Sequence, residues 1–199
     1  CENAPASISN SYIIDNHATG IAAFISLPVI ANNVIYGNRW SGVLAWGTKS
    51  FAARIEQNVI MRNGYSGLSL MGPTYIVVRN NIIMENHRYG IFAEDAAGQT
   101  KIEYNDIYKN YYQFSSGVKV PRSNINTEPM FRNASLATPD FRVAAKSPLA
   151  RRGKGRKDIG LIDASKIGGR DGDKDKDGIL DSEDNCPDEA EDMDMFEDE

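Results

Sequence analysis

At 199 residues the chain has room for one or two domains, and 41% apolar residues suffice for a packed core. No run of about 18 apolar residues occurs, so nothing in the sequence reads as a membrane span. The net charge of −5 divides unevenly: residues 171–199 hold 15 acidic residues against 2 lysines, a balance of −13 that leaves +8 on residues 1–170 and sets a boundary near Gly168-Gly169.

The first residues, Cys1-Glu2-Asn3-Ala4-Pro5, are neither a Met nor a charged and then apolar leader, which points to a fragment. From residue 11 onward one frame recurs five times: N-x-I-x-x-N-x-x-x-G-apolar, starting at 11 (where Ser11 replaces the first Asn), 33, 58, 81 and 105. The third position is always Ile (Ile13, Ile35, Ile60, Ile83, Ile107), and the sixth is always Asn (Asn16, Asn38, Asn63, Asn86, Asn110). Gly20, Gly42, Gly67 and Gly90 precede apolar residues in four copies, and Ile8, Ile30, Ile55, Val78 and Ile102 stand three before each start. The spacings of 22 to 25 residues announce a repeat architecture. Neither a leucine-rich signature nor 10- to 12-residue helical stretches are present. Short β-branched runs punctuated by Asn and Gly, about three per period, predict three short strands per coil of a single-stranded parallel β-helix, all-β, of about five coils. In that geometry the Ile positions stack inside, the Asn residues take left-handed corners while pairing their amides, and the Gly residues supply positive φ at the next bend.

Equivalent positions in successive coils should touch. Glu56, Arg79 and Glu103 form one such column, and Arg62, Glu85 and Lys109 another; both read as solvated ion-pair ladders. His17 and His87 follow the invariant Asn three coils apart, roughly 14 Å, too far for one metal ion. Ala18, Trp40, Tyr65, Arg88 and Tyr112 make a column of three aromatics and a guanidinium. It could stack on successive sugars of a glycan, with Arg88 open to an acidic group, or its rings could simply cover one another at a turn. The column Tyr36, Met61, Met84 and Tyr108 reads as packing. Asp106, Glu94-Asp95, Lys49 and Lys101 are the remaining groups with catalytic chemistry, and they form no recognisable acid, base or metal constellation. Arg151, Arg152, Lys154, Arg156 and Lys157 place five cations in seven residues, to hold an anionic polymer or to offset the acidic tail; nucleic-acid binding lacks interleaved aromatics.

The repeat resembles right-handed parallel β-helix proteins, the superfamily of pectate lyase-like enzymes and of many non-enzymatic exported proteins. "EPMF", "DFRVAAKSPLARRG" and "DIGLID" are similar to the closing segment of bacterial members, which implies a cap over about residues 115–167 within a β-helix domain spanning 1–167. For lyases of this shape the resemblance implies a Lys or Arg base and calcium-holding carboxylates. The remaining residues, 168–199, contain "DKDKDGILDSEDNCP". Asp173, Asp175, Asp177, the Ile179 carbonyl, Asp181 and Asp184 have the 1-3-5-7-9-12 spacing of a calcium loop, with Gly178 at the bend. With Asn185-Cys186-Pro187 the loop resembles a thrombospondin type 3 repeat, which implies Ca²⁺ as cofactor and, in bacterial envelope proteins, a stalk leading to further domains. The disulfide partner of Cys186 is then expected beyond Glu199.

The reading that follows is a non-catalytic exported module, extracellular, periplasmic or outer-membrane-associated, that binds a polysaccharide or cell-envelope component through Trp40, Tyr65, Arg88 and Tyr112. The rival is a polysaccharide lyase or glycoside hydrolase with catalytic groups partly outside this fragment. A purely structural stalk is a third expectation.

Overall fold

A computed structural model describes residues 7–24, 29–46, 52–72, 75–94, 100–116, 118–135 and 139–162. Within them the repeat becomes five rungs of three strands. The first holds β1 (Ser7–Ser9), β2 (Tyr12–Ile14) and β3 (Ile21–Phe24); the second β4 (Val29–Ala31), β5 (Val34–Tyr36) and β6 (Val43–Trp46). The third holds β7 (Ala52–Glu56), β8 (Val59–Met61) and β9 (Leu68–Met71), and the fourth β10 (Tyr75–Arg79), β11 (Ile82–Met84) and β12 (Tyr89–Glu94). The fifth holds β13 (Lys101–Glu103), β14 (Asp106–Tyr108) and β15 (Tyr112–Phe114). First, second and third strands pair in parallel with their counterparts to give sheets A, B and C, five strands each. The result is an all-β parallel solenoid that steps through about 4 full turns, slightly fewer than the five coils expected. Among the described residues a 3-10 turn at Lys154–Arg156 is the only helical element, and none is long and apolar enough to cross a membrane.

The register follows from the side chains. Ile13, Ile35, Ile60, Ile83 and Ile107 are direct partners across sheet B, and Ile8, Ile30, Ile55, Val78 and Ile102 across sheet A. With Val43, Leu68, Leu70 and Ile91 of sheet C they fill one continuous interior, in which Ile35, Ile60 and Ile83 are fully buried. A shift of one residue would turn each Ile outward, at roughly 1.5–3 kcal/mol apiece, which holds the rungs in register.

Two expectations about the corners are corrected. The invariant Asn residues do not take the left-handed conformation; the residue before each does, as at Asn32, Gln57 and Asn80 before one ladder and Asp15, Arg62, Glu85 and Lys109 before the other. This frees each ladder Asn to bond in full. Asn58 donates its amide to the Ile30 carbonyl (2.8 Å) and to Asn81 Oδ1 (2.9 Å), while its own Oδ1 accepts from the backbone N–H (2.9 Å) and side-chain amide (3.1 Å) of Asn33. Both donors and both lone pairs are used, which Asp, lacking the NH₂ group, could not match. The recurrent Gly is required by space rather than by φ. A Cβ on Gly42 would lie 2.7 Å from Ile60 Cγ2 and 2.9 Å from Asn63 Nδ2, so the ladder amide occupies the place of a side chain.

Only part of the expected cap closes the last rung. Val118 packs on the interior, and Asn124 extends the ladder by accepting from Asn105 (3.0 Å). Beyond it, an antiparallel pair, β16 (Phe131–Asn133) and β17 (Asp140–Val143), and the segment to Ile162 fold back along the outer face of sheet B. Phe141, Val143, Leu149 and Ile159 cover Val34, Val59, Met61, Ile82 and Met84 there. A column of amides not recognised in the sequence, Asn32, Gln57 and Asn80, holds the segment down. Gln57 Nε2 donates to the Asp158 and Gly160 carbonyls, Asn80 Oδ1 accepts from the Lys154 N–H, and Asn32 Oδ1 from that of Ile162. Residues 163–199 lie outside the described residues, and with them the expected calcium ligands Asp173, Asp175, Asp177, Ile179, Asp181 and Asp184.

Candidate functional site

The outer face of sheet C is where the strands turn large apolar side chains to solvent. Counted from the aligned apolar residues Ile21, Val43, Leu68 and Ile91, the first and third positions of each strand point inward and the second and fourth outward. The outward positions are Ala22 and Phe24, Leu44 and Trp46, Ser69 and Met71, and Phe92 and Glu94, in direct register from rung to rung. Phe24 is 55% exposed and Trp46 52%. These residues were not among the sequence candidates. The signal was legible in "GIAAF", "GVLAW" and "GLSLM", where solvent-facing alternate positions carry bulky apolar groups instead of polar ones.

The turn between sheets B and C raises a second wall. Backbone bonds tie its column together rung by rung: Trp40 N–H to the Ala18 carbonyl (3.2 Å), Tyr65 to Trp40 (3.0 Å), Arg88 to Tyr65 (2.8 Å) and Tyr112 to Arg88 (2.6 Å). Alignment of these residues along one edge, read from the repeat, is therefore present in the fold. Their surroundings differ. Trp40, at 60% exposure, and Tyr65 form one wall of a groove of about 520 Å³ whose floor is Leu44, Ser69 and Phe92 and whose far side is Met71 and Glu94. Ser41 and Ser69 share a hydroxyl–hydroxyl bond of 2.8 Å at the floor. The Arg88 guanidinium lies over the Tyr65 ring, 4.7 Å from its centroid, and over Tyr89 at 5.4 Å, and donates to the Tyr65 hydroxyl. Tyr112 stacks on Tyr89 (5.3 Å) and meets Tyr111 edge-on (4.6 Å), outside the groove lining. The structure thus brings Trp40 and Tyr65 together with sheet C, uses Arg88 to brace Tyr65, and places Tyr112 beyond the end.

The residues with catalytic chemistry are scattered. Asp106 points outward from sheet B beneath the return segment and is fully buried. Its Oδ1 accepts from the Thr127 N–H (2.9 Å) and its Oδ2 meets no partner, so burial pushes its carboxyl up to about 7, against which the Thr127 bond pulls only partly. A polymer on sheet C cannot reach it. Glu94 stands on the opposite exposed face, and Lys101 at the start of β13 points over Tyr75 (6.0 Å). Lys49 and Asp95 lie outside the described residues. His17 and His87 are exposed corner residues, and among the described residues no group of three His, Cys, Asp or Glu could hold a metal ion.

The charged columns form pairs as expected: Arg79 with Glu56, and Arg62 with Glu85 at 2.7 Å, while Glu103 takes Lys154 of the return segment at 3.8 Å. Arg142 clasps Asp140 (2.7 Å) and holds its carboxyl below the ordinary range. Met61 and Met84, flanked by Tyr36 and Tyr108, pack under that segment, as read from the sequence. The basic turn from Arg151 to Lys157 is exposed apart from the well-packed Gly153.

Comparison with the curated proteins and with the solved structures returns no match. The profile of the right handed beta helix region matches residues 1–128, which contain all five rungs, the groove on sheet C and the Asn ladders. With most of its length matched and the parallel solenoid in place, the chain belongs to the right-handed β-helix family.

Proposed function

We propose that this chain is an exported, non-catalytic glycan-binding module, with the sheet C groove as the binding surface and the acidic segment 168–199 as a Ca²⁺-binding spacer. The observation that carries the reading is the groove itself, in which the aromatic wall of Trp40 and Tyr65 faces Met71 and Glu94 across a floor of Leu44, Ser69 and Phe92, with Trp46 half exposed next to Met71 in the same column. Flat exposed rings stack on pyranose faces, and hydroxyls bond to the sugar rim. The groove extends over four rungs, roughly 14 Å at ordinary strand spacing, enough for about three sugar rings. Affinity electrophoresis in gels containing soluble polysaccharides tests it. Retardation should be reduced about tenfold in Trp40→Ala and Tyr65→Ala; equal retardation of both variants and the parent would remove the groove from consideration.

The calcium part rests on the Asp spacing alone. Titration of the full chain with Ca²⁺ should show one saturable site that Asp175→Ala weakens, and an unchanged isotherm would count against the ligand set. The rival reading, a lyase or hydrolase of the same superfamily, is tested by following unsaturated and reducing-end products from polyuronates.

A further inference from the structure

The charge of the groove specifies its ligand more narrowly than its shape does. This step rests on the reading of sheet C as a glycan surface. The lining consists of Thr19, Trp40, Ser41, Leu44, Tyr65, Ser69, Met71, Phe92 and Glu94. It contains one carboxylate and no cation. Arg88, the guanidinium that the sequence offered to an acidic sugar, is spread on the Tyr65 and Tyr89 rings and bonded to the Tyr65 hydroxyl; it does not line the groove. Glu94 is exposed at the end of β12, follows Met71 in the outward column of sheet C, and has no cationic partner among the described residues. A uronate chain laid in the groove would bring carboxylates against Glu94 with no counter-charge in the lining, whereas a protonated amine would meet an unpaired acceptor beside faces that also attract cations.

We propose that the groove selects a glycan bearing free amines, with Glu94 as the specificity-determining residue, so that affinity falls in the order amino-sugar chain, neutral chain, uronate chain. The rings of Trp40, Tyr65 and Phe92 supply binding common to all three, and Glu94 supplies the difference. Because Glu94 is solvated the discrimination is modest, roughly three- to tenfold between the charged-amine and neutral ligands.

The experiment is calorimetric titration of the full chain with β-1,4-linked hexamers of glucosamine, glucose and mannuronate in mildly acidic, low-salt buffer, for the parent, Glu94→Gln and Trp40→Ala. The expected result is the stated order in the parent. Glu94→Gln should weaken the glucosamine hexamer to the level of the glucose hexamer and leave the latter unchanged, and Trp40→Ala should weaken all arms. Mannuronate binding equal to or tighter than glucose and dependent on Trp40 would overturn the charge assignment while leaving the glycan surface intact. The same holds for an amine preference that survives in Glu94→Gln. Failure of every hexamer to bind in a Trp40-dependent way would overturn the glycan surface itself, and this proposal with it.

Discussion

Sheets B and C both turn apolar side chains outward, yet they meet different fates. On sheet B the outward residues Val34, Val59 and Ile82 are buried, because Leu149, Ile159 and Phe141 of the return segment lie on them. On sheet C the outward residues Phe24 and Trp46 stand half exposed. The difference lies in the kind of side chain. Sheet B presents a mainly aliphatic column, Val34, Val59 and Ile82, that gains by dense packing under the return segment, whereas sheet C mixes the rings of Phe24, Trp46 and Phe92 with Leu44, Met71 and the Ser69 hydroxyl, which suits a ligand that has one apolar face and a polar edge. An outward apolar column is thus a request for a partner, and its chemistry says whether the partner is the chain itself.

Breaking the covered face should have the largest effect. Leu149→Ala removes a fully buried side chain from the seam and should cost about 2–5 kcal/mol, read as a fall in the urea midpoint. Next is the buried carboxyl at the edge of the same seam. Asp106 is held at about 7, against 3.8 when free, so the folded chain keeps a proton that the unfolded chain has released between about pH 4 and 7. Its contribution to stability is therefore greatest in acid and is lost as pH rises through that window, by up to about 4 kcal/mol. Asp106→Asn, which can still accept from Thr127, should flatten that slope in urea titrations run at a series of pH values. A smaller effect is expected at the exposed rim, where Glu85→Gln removes the partner of Arg62 and should shift the thermal midpoint by the equivalent of less than about 0.5 kcal/mol, less again in high salt. The smallest is on the open face: Trp46→Ala should leave the melting curve unchanged within error while weakening glycan retardation, the opposite pattern to Leu149→Ala.

How far the sequence could be read followed from how each feature is encoded. Register along sheets A and B was legible because interior Ile recurs at a fixed offset, and burial punishes any slip. The ladders were legible as residues but not as mechanism: Asn suggested left-handed backbone by its own propensity, yet the fold hands that conformation to the preceding residue, among them Arg62, Glu85 and Lys109, whose identity does not advertise it. Gly42 and Gly67 were read as flexible when they are small, because the neighbour that needs the space, the Asn63 or Asn86 amide, comes from the next rung and is far along the chain. Of the groove, Trp40 and Tyr65 were visible as one column. The far side was missed because Met71 belongs to a column, with Phe24 and Trp46, that shares size and apolarity rather than a letter. The lateral course of the return segment had no signal in its own composition; the amides that receive it, Asn32, Gln57 and Asn80, sit in the repeat and resemble ordinary corner residues.

That return path also changes how the molecule bears load. A bare stack of rungs, each touching only its neighbours, would peel from an end one layer at a time. Here a single strap is stitched to the second rung at Asn32, the third at Gln57, the fourth at Asn80 and the fifth at Asp106. Tension applied along the axis must shear several stitches together before any of these four rungs parts, so that stretch of the solenoid behaves as a braced rod, while the first rung is left to the pairing of its own strands.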